Sequence, residues 1–256
     1  MLPTYEKLNS STKPSAKIPF GKFAIYVVSL PLFSFLFCVI WCVLFYFERS
    51  TATHCSVRNY LPSISAAIGN YQPQRFIWQL AICVHFIPRL VIAKVYLDFY
   101  IEVIRKDRMH LAKIALSLNV VENFALLVLS LWTSSEHYEI HKVSFCIFIF
   151  TSEIYMIVVY FLSKNGRRLP LATKEEIRSI RFKKALVIVN VLAFALAGFC
   201  FMRHNTRCEA GVYTLFALFE YIVVLTNMGY HMTAFWDFYG RSLCFDTNEG
   251  FYFARF

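Results

Sequence analysis

FAIYVVSLPLFSFLFCVIWCVLFYF, residues 23–47, contains no charged residue. A helix rises about 1.5 Å per residue and the hydrocarbon core of a bilayer is about 30 Å thick, so this run is long enough to cross it. Lys7, Lys13, Lys17 and Lys22 precede it, and Glu48 and Arg49 follow. A secretory leader has only about 7–15 apolar residues and a small-residue cleavage site. This run is far longer and ends in Phe-Tyr-Phe-Glu-Arg, so it reads as an uncleaved signal anchor.

Five more apolar runs follow, at about 76–99, 113–132, 143–162, 185–202 and 212–234. The whole chain is 58% hydrophobic and 16% charged, with mean hydropathy +0.51. A soluble domain is closer to about 45–50% apolar. The expected fold is therefore all-α: a polytopic membrane protein, a bundle of about six transmembrane helices. The expected organisation is a cytosolic tail over 1–22, a six-helix domain over 23–234 with a luminal loop at 48–75, and a cytosolic tail over 235–256.

Charge gives the bundle a direction. Of the 26 Lys and Arg residues, 18 fall on the side that carries the tails and 6 on the other. Arg89 and Lys94, inside the second run, complete the total. Cytosolic loops carry the excess of Lys and Arg, which puts both termini in the cytosol. The net charge of +10 is thus a topology signal. No nucleic-acid motif accompanies it. In the basic segment 164–184, Thr173 with Glu176 has the spacing that caps a short helix.

The residues that carry chemistry are the ones that do not belong in lipid. An ionisable group at a helix centre costs about 2.5–3.5 kcal/mol on insertion scales, so it faces the bundle interior and finds partners. His85, Glu122, Glu153 and Glu220 all fall near the midplane, with Arg89 somewhat nearer the cytosol. His85 and Arg89 are four apart and share a helix face. Asn119, Glu122 and Asn123 cluster on one face of the third run, and Glu220, Asn227 and His231 form one stripe on the sixth. Two readings follow. One is a polar cavity among the second, third and sixth helices that binds a lipid headgroup. The other is interhelical glue, with Glu122 or Glu220 paired to Arg89 or His85. Lys94 and Asp98, four apart, are expected to pair at the interface.

A second polar group lies at the luminal edge: His54 beside Cys55, then Arg203-His204-Asn205 and Glu209. A cation beside a histidine suits a phosphate group and general-base work, with His54, His204 and Glu209 as catalytic candidates. The alternative is an ordinary polar interface. Cys55 and Cys208 are the two cysteines in luminal loops, where an oxidising compartment allows them to pair. His137 and His141, four apart beside Glu136 and Glu139, offer a zinc-like spacing, but the expectation is no metal. The chain has no Gly-rich phosphate loop, Gly-x-Ser-x-Gly elbow, His-Glu-x-x-His or His-x4-Asp box.

Several blocks carry a family likeness. They are Thr51-Ala-Thr-His-Cys, Asn59-Tyr-Leu-Pro-Ser, Ala67-Ile-Gly and Pro73-Gln-Arg; Asn119-Val-Val-Glu-Asn-Phe-Ala-Leu-Leu-Val-Leu; Ser134-Ser-Glu and Ile140-His; Arg203-His-Asn and Cys208-Glu-Ala-Gly-Val-Tyr-Thr; Glu220-Tyr, Val224-Leu-Thr-Asn-Met and His231-Met-Thr-Ala-Phe-Trp-Asp-Phe. Together, from about residue 20 to 238, they resemble the post-GPI attachment to proteins factor 2 family of multispanning membrane proteins. The resemblance implies a Golgi-membrane protein acting on GPI-anchored proteins. It implies a step in which lyso-GPI, lacking its sn-2 chain, is reacylated with a saturated chain.

On that implication Arg203 pairs with the inositol phosphate, His204 or His54 serves as base, and Glu209 orients the histidine. His85, Arg89, Asn119, Glu122, Asn123, Glu220, Asn227 and His231 line the binding cavity. No cofactor is expected beyond an acyl-CoA or phospholipid donor. The partners are the membrane, lyso-GPI and GPI-anchored proteins. The rival is a non-enzymatic factor that binds, presents or sorts lyso-GPI, and a third reading is an ion or proton channel built on the midplane carboxylates.

Overall fold

The computed structural model describes residues 16–168, 170–171, 173–246 and 250–255. Lys7 and Lys13 of the N-terminal charge group lie outside the described residues.

The elements follow in chain order. A short strand β1 (Ala16–Pro19) leads into α1 (Phe20–Phe45). Two short helices, α2 (Phe47–Thr51) and α3 (Ile64–Gly69), lie in the first loop. Then come α4 (Gln74–Val103), α5 (Met109–Leu131), α6 (Tyr138–Asn165), α7 (Lys174–Arg207) and α8 (Val212–Met232). A one-turn α9 (Ala234–Asp237) and the strands β2 (Arg241–Asp246) and β3 (Gly250–Arg255) close the order. The protein is a multi-pass membrane protein: α1, α4, α5, α6, α7 and α8 are each long and apolar enough to cross a bilayer.

Each span packs on the next in sequence, and α8 returns to α1, so the six helices form a closed ring. The pattern of burial is inverted relative to a soluble protein. Phe33, Ile40, Leu44, Ile87, Leu192, Phe199 and Met202 face outward, while Arg89, Asn119, Glu122 and Asn123 are buried. Lipid solvates the first set. The second set must find partners inside, because hydrocarbon offers none.

The helices outrun the apolar runs that announced them. At about 1.5 Å per residue α7 is about 50 Å long, well beyond a hydrocarbon core of about 30 Å. Its first turns are the basic segment itself. Thr173 does cap it, in a full capping box with Glu176, but the helix continues unbroken to Arg207 rather than ending as a short cytosolic piece. Lys183, counted above as a loop cation, is fully buried. Its Nζ donates to Asp237 Oδ2 at 2.5 Å and to Ser179 Oγ at 2.6 Å. Tyr96 donates to the same Asp237 oxygen at 2.7 Å. That network, with an aromatic cluster of Phe20, Phe99 and Phe238, makes the core at the terminal end of the bundle.

The strands are an addition that the sequence pattern does not show. β1 pairs antiparallel with β2, Ala16 opposite Phe245 and Pro19 opposite Ser242, and β2 pairs with β3. Residues 235–246, read as part of a tail, therefore fold back onto the start of α1.

Opposite the sheet, the 48–75 loop covers the other end of the ring. Tyr221 Oη donates to the Pro62 carbonyl at 2.7 Å, Glu220 Oε2 accepts from Ile64 N–H at 3.2 Å, and Gly211 N–H donates to the Arg58 carbonyl at 3.1 Å. Gly211 has φ +78°, a conformation that costs glycine nothing, where the chain turns into α8. Cys55 and Cys208 form a disulfide that ties this loop to the α7–α8 turn. The Arg75–Glu136 ion pair bridges the foot of α4 to the α5–α6 turn.

Candidate functional site: a chamber inside the ring

The ring encloses a cavity of about 80 Å³. Its walls are apolar: Val28 and Pro31 of α1, Trp78 of α4, Leu126 and Leu129 of α5, Phe145 and Phe148 of α6, and Val224 and Met228 of α8. Ile64, Ser65 and Ile68 of α3 close it on the loop side. His85, Arg89, Glu122, Asn123, Asn227 and His231 give it a polar end, and Glu220 lies near the loop. The cavity expected among the second, third and sixth spans is present, with further walls from α1, α3 and α6.

The polar end is one connected cluster. Arg89 Nε donates to Asn123 Oδ1 at 3.2 Å, and Asn123 Nδ2 donates to the Asn119 carbonyl and Oδ1, both at 2.9 Å. Asn119 thus steadies Asn123 but faces a neighbouring recess beside Tyr155 rather than the chamber. Arg89 Nη2 lies 3.7 Å from Glu122 Oε2. Glu122 Oε1 accepts from Asn227 Nδ2 at 3.2 Å and lies 3.0 Å from His231 Nε2. Asn227 also donates to Ser152 Oγ at 2.6 Å. His231 Nε2 lies 3.0 Å from Arg89 Nη2 as well. One ring nitrogen carries either a hydrogen or a lone pair. With the hydrogen it donates to Glu122; with the lone pair it accepts from Arg89. The two contacts are alternatives, so the cluster has two proton arrangements.

Cavity and glue therefore coexist. Arg89 and Glu122 make the expected pair. Glu220 does not pair with Arg89 or His85: it holds the backbone of α3 instead. Lys94 and Asp98 pair at 2.8 Å on an exposed face, as their spacing suggested. Glu153 is buried without a hydrogen-bond partner among the described residues and does not line the chamber.

The loop edge is assembled differently from expectation. Cys55 and Cys208 bring His54 near His204, with ring centroids 5.7 Å apart. His54 is exposed and His204 is buried. His204 Nε2 lies 3.0 Å from Thr53 Oγ1. Glu209 does not orient a histidine through its carboxylate. That carboxylate takes Arg203 in a two-bond clasp at 2.8 and 3.1 Å. This hydrogen bonding holds the Glu209 carboxyl below the usual carboxylate range. Arg203 is thus engaged through Nε and Nη2, on a side chain that remains exposed. The clustered metal-ligand atoms at this edge are those of His54, Cys55 and Cys208, and the disulfide consumes both sulfurs.

His141 is likewise not half of a zinc pair. Its Nδ1 faces the carbonyls of Leu129 at 2.9 Å and Trp132 at 3.0 Å, and its Nε2 lies 2.9 Å from Ser65 Oγ. Both nitrogens are engaged within the protein. Ser65, Ser152 and the Lys183–Asp237 pair are among the polar residues that sequence reasoning missed. The only signal for Ser65 was Ser63, whose Oγ accepts from Ala66 N–H as the N-cap of α3.

Fold and site together define a polytopic membrane protein with an internal, polar-ended chamber covered by an extramembrane loop. Residues 19–241 match the Frag1/DRAM/Sfk1/Cwh43P N-terminal domain family. The chain belongs to the post-GPI attachment to proteins factor 2 family: it is 56% identical over 256 residues to the protein of that name from Drosophila pseudoobscura pseudoobscura, with all of both chains covered. Its identity to the Drosophila melanogaster protein of the same name is 54% over 255 residues, again across both chains. It is 46% identical over 226 residues to Acyltransferase PGAP2 of Xenopus tropicalis, covering 88% of this chain and 89% of that one. No solved structure matches the chain.

Proposed function

We propose that this protein acts in remodelling the lipid of GPI anchors, and that it promotes reacylation of lyso-GPI at sn-2 with a saturated chain. In this reading it resides in the Golgi membrane with both termini cytosolic, so the 48–75 loop is luminal, the side on which GPI-anchored proteins lie. The names of its relatives support the pathway, and two of them are named an acyltransferase.

The observation that carries the reading is the chamber. Its apolar walls favour part of a lipid tail over the headgroup as occupant, and at about 80 Å³ it takes a short segment of chain, well short of the about 300–1,000 Å³ of a pocket that encloses a whole ligand. Its loop-side end is closed by α3, so a glycerol hydroxyl at the luminal interface reaches it only past Ile64, Ser65 and Ile68. The donor is an acyl-CoA or a phospholipid.

The test is purified protein in liposomes, given lyso-GPI with radiolabelled palmitoyl-CoA or palmitoyl-phospholipid. The expected result is sn-2-acylated product with one donor. No product with either donor, together with saturable lyso-GPI binding, would establish the second reading, a lipid-presenting factor. That reading draws support from the loop edge, where Arg203, His204 and Glu209 are all engaged with protein partners.

A further inference from the structure

Ser65 lines the loop-side end of the chamber, and His141 meets it from behind the lining; the two lie in the first turns of α3 and α6. Their contact fixes the tautomer. The two groups facing His141 Nδ1 are carbonyls, which only accept, so Nδ1 carries the hydrogen. In the neutral ring Nε2 then holds the lone pair. Ser65 Oγ, 2.9 Å away, donates to it. His141 is 7% exposed, so water competes little for that bond.

These are the parts of an activated serine: a nucleophile, a base within hydrogen-bond reach, and a third group that orients the base. Here two backbone carbonyls do the orienting. The serine is held in place from both sides. Glu220 fixes the amide of Ile64, and Ser63 Oγ fixes that of Ala66. Ile68 and Leu129 are among the apolar walls beside it.

We propose that Ser65 is an acyl-carrying nucleophile and that His141 is its base, with the apolar chamber wall beside Ser65 contacting only the segment of chain next to the ester. The proposal rests on the acyl-transfer reading given above. As Oγ bonds to the carbonyl carbon of an acyl ester or thioester, its proton passes to His141 Nε2. The C–O or C–S bond of the donor then breaks, and the leaving alcohol or thiol takes that proton. The acyl-serine passes its chain to the free hydroxyl of a lysolipid by the same steps in reverse. His141 takes the hydroxyl proton and returns it to Ser65, and no net charge or electron is left over.

The experiment uses the full chain in liposomes, with lyso-GPI and either radiolabelled palmitoyl-CoA or sn-2-labelled palmitoyl-phosphatidylcholine, which separates the two donor sources. The wild-type chain is expected to take up covalent label on Ser65 from one donor before lyso-GPI is added, and to lose it on addition. S65A loses label and transfer while keeping the wild-type melting temperature. H141Q slows transfer by about 100-fold or more, the scale of a lost general base. S65C retains label, now as a thioester that neutral hydroxylamine releases, whereas the wild-type ester resists it. That chemical change is one a merely structural serine would not produce.

Transfer by S65A at the wild-type rate would overturn the proposal, as would label mapped elsewhere or an S65C label resistant to hydroxylamine. Labelled Ser65 without transfer to lyso-GPI would sink the GPI-remodelling reading and leave this inference standing. A chain unlabelled by both donors and by a fluorophosphonate probe would sink the inference itself.

Discussion

Arg89→Met removes the cation from the chamber cluster and leaves Glu122 as a buried carboxylate facing His231. Glu122→Gln does the reverse, leaving the guanidinium opposite a neutral amide. At the 3.7 Å separation of Nη2 and Oε2, two unit charges attract by about 4–5 kcal/mol with an effective dielectric of about 20. Desolvation has already consumed part of that gain, so the pair's net worth is small. Breaking it from one side is still expected to cost about 3–5 kcal/mol, because one charge stays buried alone. The double variant removes both charges and should be destabilised by clearly less than the two singles together. The expected coupling is about 2 kcal/mol or more. Unfolding measured by steric trapping in bicelles, on wild type, both singles and the double, gives the cycle. Additivity within about 0.5 kcal/mol would refute the claim that Arg89 and Glu122 act as a unit.

Lys183→Met strands Asp237 at the terminal end and is expected to cost about 3–5 kcal/mol, with Lys183→Met/Asp237→Asn recovering most of it; equal instability of single and double would refute the pairing. Cys55→Ser opens a large covalent loop and is expected to lose about 2–5 kcal/mol of thermal stability. Maleimide should label Cys55 and Cys208 only after reduction, read by peptide mapping against the free thiols such as exposed Cys83 and Cys146, and label on Cys55 or Cys208 before reduction would contradict the bridge. The Arg203–Glu209 clasp carries a pH sign. Glu209 is held below its ordinary value, so its contribution is present above the unfolded pKa and lost as pH falls through the folded one. The clasp should hold at neutral pH and open in acid below the ordinary carboxylate range, and Arg203→Gln, which removes the guanidinium, should abolish that transition. Spin-label mobility at Asn205 against pH reads this directly, and an Arg203→Gln profile identical to wild type would contradict it.

The spans were legible because hydrocarbon imposes a single strong demand on long apolar runs. Their ends were not. Nothing in the basic run before residue 185 announces that Lys183 turns inward to Asp237, more than fifty residues away. The chamber cluster was legible for a related reason. Arg89, Glu122, Asn227 and His231 cannot face lipid, so helical spacing was enough to gather them. The loop edge was half legible. Compartment logic brought Cys55 and Cys208 together, but it could not say that Glu209 would choose Arg203 over a histidine. Ser65 stayed hidden because a serine in a loop is unremarkable alone, and His141 was noticed only for its spacing from His137. Their meaning comes from a contact between segments 76 positions apart. β1 was invisible for the same reason: Ala-Lys-Ile-Pro is too short to show a period and is exposed throughout, and its partner is far along the chain.

The pairing of β1 with β2 has a consequence for biosynthesis. Ala16 leaves the ribosome early but cannot meet Phe245 until all six spans have been threaded into the membrane. Closure of the ring between α1 and α8 is under the same constraint, since α8 is the last span made. The first helix must therefore wait in the bilayer with its inner face, Phe20, Ala24 and Val27, without its final neighbours. A nascent chain halted before β2 keeps that face open to membrane chaperones, and the completed sheet is the latch that ends the waiting.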